Sequence, residues 1–300
     1  MTGPGADWAR AIDRVVAPGG PADPSRFLAS LLRPARGGLC ARAALSLVAR
    51  IRPGDRVWVA TGLVVPGAMP RGETDGPPGA AVLARALAAG LGARVLVLAE
   101  APVVPVVVAA LDALARAERC GPAWRRACRT AALPRRPRAA ALWVGRRFRR
   151  PPRAVVAVEK LGPNGRGVMH TATGMDVTAA QGRTDVLFAA ARRRGILTVG
   201  VGDRGNEVGF GAVAGRLAAA GIAGPCACPC GSSIACTVAA RSWADMPVVT
   251  ASLASTETVN AVPKRAVLSC TIIGIWSSSR RLPVMARQIS PRPCLAMKLM

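Results

Sequence analysis

Residues 57–98, VWVATGLVVPGAMPRGETDGPPGAAVLARALAAGLGARVLVL, decide the fold of this chain. The stretch begins with an apolar run at 57–61 and continues through a Gly- and Pro-rich loop. An Ala/Leu-rich segment at 79–91 follows, and a second apolar run at 95–98 ends the stretch. Short apolar runs on either side of a helical segment predict two strands joined by a helix. Because a helical crossover joins them, the two strands should be parallel.

A second unit of the same kind lies further along the chain. Residues 154–158 and 197–201 predict strands, and residues 184–193 predict the helix between them. Two such units predict an α/β fold with an open, mostly parallel, doubly wound (Rossmann-like) sheet. Residues 1–50 predict a helical lead-in, because apolar residues recur there at helical spacing in two runs.

The segment at 119–153 fits neither pattern. Residues 120–153 contain five prolines and eleven arginines, and we predict an exposed basic linker there. A doubly wound sheet would require a helix and a strand in this place, and the sequence of this segment shows the pattern of neither. We therefore expect a lead-in at 1–50, an α/β domain at 51–250 with 119–153 as an atypical basic insert, and an irregular basic tail at 251–300.

The net charge is a regional property of the chain. Its 300 residues carry 41 Lys and Arg against 16 Asp and Glu, a formal charge of +25, and 51% are hydrophobic. That apolar content excludes disorder throughout. Nineteen of the excess positive charges fall in two segments without acids, at 119–158 and 258–300, and the rest of the chain is near +6. We hypothesise that both segments are out-of-frame translations of GC-rich coding DNA.

Other partners and cofactors are disfavoured. The most apolar run, 101–111, is about half of the ~20 residues that a membrane span needs, and no signal peptide is recognisable, so we expect a cytoplasmic protein without a membrane partner. The GxGxxG pattern at 200–205 lacks an acid about 20 residues later, which argues against a dinucleotide. The cysteines at 226, 228, 230 and 236 fit zinc spacing poorly. We expect no cofactor and assign no metal ligands; metal dependence stays open, because no ligand spacing demands a divalent ion among the carboxylates.

Charged and Gly-rich loops follow three of the predicted strands. Glu73 and Asp75 lie in the loop after the first strand, Glu159 directly follows the third, and Asp203 and Glu207 follow the fourth. Ligands of parallel sheets bind beyond the carboxyl ends of the strands. Asp75 also suits the N-cap of the following helix, which is a purely structural alternative. Asp203 and Glu207 are four residues apart, and the glycine between them favours a loop over a helix.

Several strings in these loops resemble a known family. They are GETDGPPGAAVLARAL from residue 72, AVEKLGPNGRGVMHTATGMDVT from 157, GILTVGVGDRGNEVGFGAV from 195 and CGSSIACTVAA from 230. They resemble the D-glutamate cyclase family, in particular its C-terminal domain, over roughly 50–118 and 154–240. The chain departs from the family pattern at Arg204, where a glycine is expected, and after about residue 240, where a Ser-Asn-Trp-Gly stretch is absent.

The resemblance implies that the substrate is D-glutamate and the products are 5-oxo-D-proline and water. Such a ring closure needs a general base, a general acid and donors to the carboxylate oxygens. The candidate catalytic residues are Glu73, Asp75, Glu159, Asp203 and Glu207, and their individual roles stay open. The candidate substrate-binding residues are Thr61, Gly62, Gly76, Lys160 as a carboxylate anchor, Asn164, His170, Gly205, Asn206 and Gly209.

Two other functions stay open. The motifs could belong to a non-catalytic domain that binds a small acid. The arginine-rich segments could bind nucleic acid through phosphate contacts. The chain has no tyrosine, four phenylalanines and no recognisable nucleic-acid motif, which disfavours that second alternative.

Overall fold

The computed structural model describes residues 39–117, 123–219 and 234–237. Helices and strands alternate along these residues except at Val104–Ala117 and Ala123–Ala127, two helices that follow one another, and two short 3₁₀ turns lie at Thr178–Ala180 and Phe210–Val213. The helices are α1 (Leu39–Arg50), α2 (Gly76–Leu91), α3 (Val104–Ala117), α4 (Ala123–Ala127), α5 (Pro137–Arg147), α6 (Thr184–Arg193) and α7 (Ala214–Ala219). The strands are β1 (Arg56–Thr61), β2 (Arg94–Ala99), β3 (Cys128–Ala132), β4 (Ala154–Val158), β5 (Leu197–Gly202) and β6 (Ile234–Thr237).

The six strands form one parallel sheet in the order β3-β2-β1-β4-β5-β6. The chain builds outward from β1 to one edge and then crosses back to β4, so β1 and β4 are neighbours at the point where the order reverses. The predicted doubly wound α/β fold is therefore confirmed. In such sheets ligands bind outside the carboxyl ends of the strands at this reversal.

Helices cover both faces of the sheet, and β1 shows why. Val57 and Val59 point into one core, which α1, α2 and α3 complete, whereas Trp58 and Ala60 point into a second core beneath α5 and α6. Alternate residues of a strand face opposite sides, so a strand that is apolar at every position must be covered twice. This accounts for the continuous apolar run that β1 shows in the sequence.

The predicted boundaries of α2 agree with the structure to within three residues. The helix begins at Gly76 rather than residue 79, because Asp75 caps it and two prolines occupy its first turn. It ends at Leu91, and Gly92 follows in a left-handed conformation with φ 65°. Glycine carries no Cβ, so it adopts this terminating geometry at little cost.

The prediction of an exposed basic linker at 119–153 is wrong for the described residues 123–153. They form α4, β3 and α5, and β3 is an edge strand that pairs in parallel with β2. Trp124, Cys128, Leu133, Val144 and Phe148 are buried, with arginines on the exposed positions between them. An edge strand and a surface helix need few apolar residues, so the dense arginines hid a regular pattern.

The regular structure of residues 123–153 also argues against the out-of-frame hypothesis for this segment, since it supplies a strand and part of the second core. The basic tail, the first run of the lead-in and the cysteines at 226–230 lie outside the described residues. No helix in the described ranges combines the length and the apolar character that crossing a membrane requires.

Candidate active site

Three neighbouring strands end in residues with polar side chains. Thr61 is the last residue of β1, Glu159 directly follows β4, and Asp203 directly follows β5. Because β1, β4 and β5 are adjacent and parallel, their carboxyl ends lie at one edge of the sheet. Glu159 has φ 47°, a left-handed conformation that is uncommon for a residue with a side chain. Residues with such uncommon backbone conformations concentrate at functional sites.

The loop after β5 carries Glu207 back to this edge. Its carboxylate accepts hydrogen bonds from three successive backbone N–H groups, those of Asp203 (3.2 Å), Arg204 (2.9 Å) and Gly205 (2.8 Å). The Val208 N–H also donates to the Lys160 carbonyl at 2.7 Å, which joins this loop to the segment after β4. The loop is therefore held at both ends, and its geometry fixes the Glu207 carboxylate.

The structure brings Glu159, Asp203 and Glu207 together. One carboxylate oxygen from each lies within 4.8 Å of the other two. Asp203 and Glu207 are buried, and Glu159 is partly exposed. We call these three residues the carboxylate triad.

Glu73 and Asp75 lie close enough to the triad to interact with it electrostatically. Burial, followed by the negative charges of Asp75 and Glu207, raises the pKa of Glu73 to about 7, although Arg204 opposes the shift. Burial also raises the pKa of Asp75, although its hydrogen bond from the Gly76 N–H opposes this. We call Glu73, Asp75 and the triad together the carboxylate cluster.

Within the triad, two pKa values rise for the same physical reasons. Burial and the charge of Glu207 raise the pKa of Asp203 to about 8, against the opposing charge of Arg204. Burial also raises the pKa of Glu159, and the other four carboxylates of the cluster add to that shift. At neutral pH the cluster therefore retains protons that separated carboxyl groups would release.

The backbone N–H groups near the cluster are largely engaged by the protein's own carboxylates. At the N-terminus of α2 the Gly76 N–H donates to Asp75 at 2.7 Å, and Pro77 and Pro78 have no N–H. After β5, three N–H groups are taken by Glu207. Both places resemble sites where Rossmann-like folds bind a phosphate. Here, however, their backbone N–H groups donate to carboxylates of the protein itself. The surroundings of the cluster thus favour a cationic group over an anionic one.

Lys160 follows Glu159 in the chain and is fully buried. Its ammonium donates to the carboxylate of Glu100 and, at 2.8 Å, to the carbonyl of Gly62. The same Glu100 oxygen accepts the Gly182 N–H at 2.7 Å. Burial lowers the pKa of Lys160 to about 7. The structure therefore places this ammonium inside a buried network that joins the ends of β1, β2 and β4.

A model of the D-glutamate cyclase-like, C-terminal family matches residues 25–267. The chain belongs to this family. The match includes the basic segment at 119–153, in agreement with the regular structure of its described residues 123–153. A comparison with curated proteins gave no match.

Other candidate residues of this D-glutamate cyclase-like chain organise the loops around the cluster. The Asn164 carboxamide oxygen accepts the N–H groups of Arg166 and Val168 within its own loop. The Asn206 amide donates to the His170 carbonyl at 2.7 Å, so these two predicted residues lie together. Gly209 has φ 119° and begins the turn at Phe210–Val213.

Two residues outside the predicted set of site residues are positioned by the same elements. Glu100 directly follows β2 and pairs with Lys160. The sequence could have indicated Glu100, because this carboxylate directly follows a predicted strand, as Glu159 and Asp203 do. Arg204 was noted as a departure from the family pattern, and its guanidinium lies 3.5 Å from Asp203. It places a positive charge beside the carboxylate cluster.

Proposed function

We propose that the chain is a lyase of the D-glutamate cyclase type, which converts D-glutamate to 5-oxo-D-proline and water. The observation that supports this most is the convergence of five carboxylates at one edge of the sheet, with Glu73 having a pKa of about 7. Such a group exchanges protons readily near neutral pH, as acid–base catalysis requires.

The proton balance of the reaction suits such a cluster. The α-ammonium nitrogen forms a bond to the γ-carboxyl carbon, and a carbon–oxygen bond of that carboxyl group breaks. Two protons leave the nitrogen, and both depart with the lost oxygen as water. The reaction therefore needs a relay of protons over a short path and no net acid or base.

We assign the relay to Glu73. It is partly exposed, unlike Asp203 and Glu207, so a substrate can reach it. Its ionised form accepts a proton from the substrate ammonium, and its protonated form delivers one to the departing oxygen. Because its pKa is about 7, both forms are populated near neutral pH.

Charge complementarity determines how the substrate would be held. The negative cluster attracts the ammonium and brings it to Glu73. The exposed guanidinium of Arg204 offers a partner for a substrate carboxylate. Since both reacting groups belong to one molecule, holding it folded supplies much of the rate enhancement.

We propose a positioning role for Lys160 instead of direct contact with the substrate. Its ammonium is fully buried and bonded to Glu100 and Gly62. It sets the position of the loop after β1 relative to Glu159, its neighbour in the chain.

The test is turnover by the purified chain, followed as formation of 5-oxo-D-proline, beside the Asp203→Asn variant. We expect turnover by the wild type and a loss of at least about a hundredfold in the variant, within the range for acid–base groups. Equal rates would remove Asp203 from the site. Saturable binding of D-glutamate without any turnover would favour the non-catalytic small-acid-binding domain.

Exposed arginines keep nucleic-acid binding as a second candidate function. Arg146, Arg147, Arg149 and Arg150 are exposed in and after α5. Saturable retention on nucleic acid that falls steeply with salt would support it. Retention that does not saturate would count against it.

A further inference from the structure

An open cavity lies between α5 and α6, on the face of the sheet that holds the second core. Its volume is about 270 Å³, and apolar side chains form much of its wall, those of Ala141 and Val144 on α5 and of Val186 and Ala190 on α6. Ala141 is exposed and Val186 is half-buried, so the cavity opens to solvent. We call it the α5–α6 groove.

The groove is separate from the carboxylate cluster. Arg193 and Arg194 line it, and they lie just before β5 begins at Leu197. Asp203 of the cluster follows the end of the same strand. The groove therefore lies toward the amino end of β5, and its ligand need not be the substrate of the cluster.

Exposed apolar surface continues from the groove. Leu142 follows Ala141 on α5 and is 65% exposed, and among the described residues it shares such exposure of a large apolar side chain with Met175 alone. Pockets for drug-sized molecules usually measure ~300–1,000 Å³. The smaller groove and the exposed leucine beside it therefore suit one or two apolar side chains of a polypeptide better than a free small molecule.

Arginines held against aromatic rings border the groove. The Arg194 guanidinium carbon lies 4.9 Å from the ring centroid of Phe148, and that of Arg147, one turn after Val144, lies 4.4 Å from the ring of Trp143. Stacking on a ring fixes a guanidinium, and the N–H groups at its edge can still donate to a carboxylate. Because Arg193 is also exposed, we call Arg147, Arg193 and Arg194 the arginine rim.

The protein itself supplies little negative charge to this rim. Residues 120–158 and 186–202, which include α5, most of α6 and the whole rim, contain no Asp or Glu. Asp185, in the first turn of α6, is paired with Arg183. The groove thus combines apolar walls with a positive edge, which is complementary to a ligand that is apolar on one side and acidic on the other.

This complementarity favours a segment of another protein as the occupant. Two copies of the chain that met through the same groove would bring two arginine rims together, and like charges repel. None of the stretches of this chain outside the described residues carries a net negative charge in its sequence. Nucleic acid would match the arginines but not the apolar walls. A groove between two neighbouring helices commonly accepts the apolar face of a further helix.

We propose that the α5–α6 groove binds an acidic, amphipathic helical segment of a partner protein. The apolar side chains of that segment enter the groove beside Leu142, and its carboxylates contact the arginine rim. This interaction does not depend on the proposed function.

The test titrates a fluorescently labelled synthetic peptide with the full chain and follows fluorescence anisotropy. The peptide is a helix with two leucines one turn apart and glutamates beside them. One matched peptide has serines in place of the leucines, another has glutamines in place of the glutamates, and a single-stranded DNA oligonucleotide is the probe for charge alone. We expect saturable binding of the first peptide, and binding at least about tenfold weaker for both matched peptides. Affinity for the first peptide should fall as salt rises.

Two variants place the binding in the groove. Ala141→Leu fills it, and the change is compatible with folding because residue 141 is exposed and leucine suits a helix. We expect Ala141→Leu, and separately Arg193→Gln combined with Arg194→Gln, to weaken binding of the first peptide at least about tenfold. The control is Arg42→Gln, because Arg42 is exposed on α1, which covers the opposite face of the sheet. It should bind as the wild type does.

Thermal unfolding shows whether each variant is folded, and Arg193→Gln alone serves if the double arginine variant is not. The proposal is overturned if the first peptide does not bind saturably, or if Ala141→Leu and the arginine variant bind it as tightly as Arg42→Gln does. It is also overturned if the oligonucleotide binds at least as tightly as the peptide and Ala141→Leu leaves that binding unchanged. That last outcome would support nucleic-acid binding instead.

Discussion

The buried ammonium of Lys160 donates a hydrogen bond to the buried carboxylate of Glu100, 60 residues away in the sequence. This pair joins the loop after β4 to the end of β2. Removing one partner leaves the other charge buried and unpaired, so Lys160→Met should lower the free energy of unfolding by about 3–5 kcal/mol. Denaturant titration measures this loss.

The double variant Lys160→Met with Glu100→Leu is the matched control, because it removes both charges together. Replacing both partners with apolar residues of similar size often costs little. We expect the double variant to recover most of the stability that the single variant loses. Equal losses in the two proteins would show that the pairing of charges is not the cause.

Phe148 tests whether the basic segment belongs to the core. It is 5% exposed, and its ring centroid lies 5.3 Å from that of Trp58 on β1. Phe148→Ala should destabilise the fold by about 3–5 kcal/mol. The neighbouring exposed Arg149→Ala should stay within about 0.5 kcal/mol of the wild type. Similar small effects in both variants would mean that the segment packs loosely.

The raised pKa of Glu73 makes stability depend on pH. In the unfolded chain this carboxyl titrates near its ordinary value of 4.5, and in the folded chain near 7, so the folded form binds the extra proton between these values. Its contribution to stability is complete below pH 4.5 and is lost as the pH rises through 7. We expect the Tm of the protein to fall across this window.

Glu73→Gln should flatten that fall. The control is Asp112→Asn on α3, where Asp112 pairs with Arg125 at 2.9 Å, and it should leave the fall unchanged. Thermal scans between pH 4.5 and 8 compare the three proteins. Part of the slope should persist in Glu73→Gln, because the pKa of Asp203 is also raised. A slope identical to that of the wild type would contradict the assignment of the shift to Glu73.

Gly202 gives the Glu207 side chain its space. A Cβ at this position would lie 2.7 Å from the carboxyl carbon of Glu207, which must then move. Gly202→Ala should therefore reduce cyclisation at least about tenfold, because small displacements at an active site are costly. Gly145→Ala on α5, where a Cβ would meet nothing within 4 Å, is the control. Its activity should match that of the wild type.

Much of the fold follows from apolar periodicity. β4 and α6 begin and end where the sequence predicts, because buried parallel strands leave a continuous apolar run. The edge strand β3, with the sequence CRTAA, escaped prediction because one of its five residues is buried and arginine occupies the next position. A strand with one pairing neighbour and little cover need not be apolar.

The candidate site was predictable in its residues but not in its connections. Carboxylates that follow strands indicated Glu159 and Asp203, since the strand ends of a parallel sheet share one edge. The pairing of Lys160 with Glu100 depends on side chains that meet across three strands, which no local pattern encodes. The sequence predicted that Asp75 caps α2. Only the structure shows that this cap occupies the Gly76 N–H group, which leaves the helix N-terminus less suited to an anionic ligand.

The most direct test of the central claim, that the carboxylate cluster catalyses ring closure, is incubation of the purified chain with D-glutamate and, separately, with L-glutamate. Nuclear magnetic resonance follows 5-oxoproline in both samples, and Glu73→Gln and Asp112→Asn are run beside the wild type. We expect the D-enantiomer to be cyclised by the wild type and by Asp112→Asn, with a loss of at least about a hundredfold in Glu73→Gln. Absence of 5-oxo-D-proline from the sample of folded wild-type protein would contradict the account.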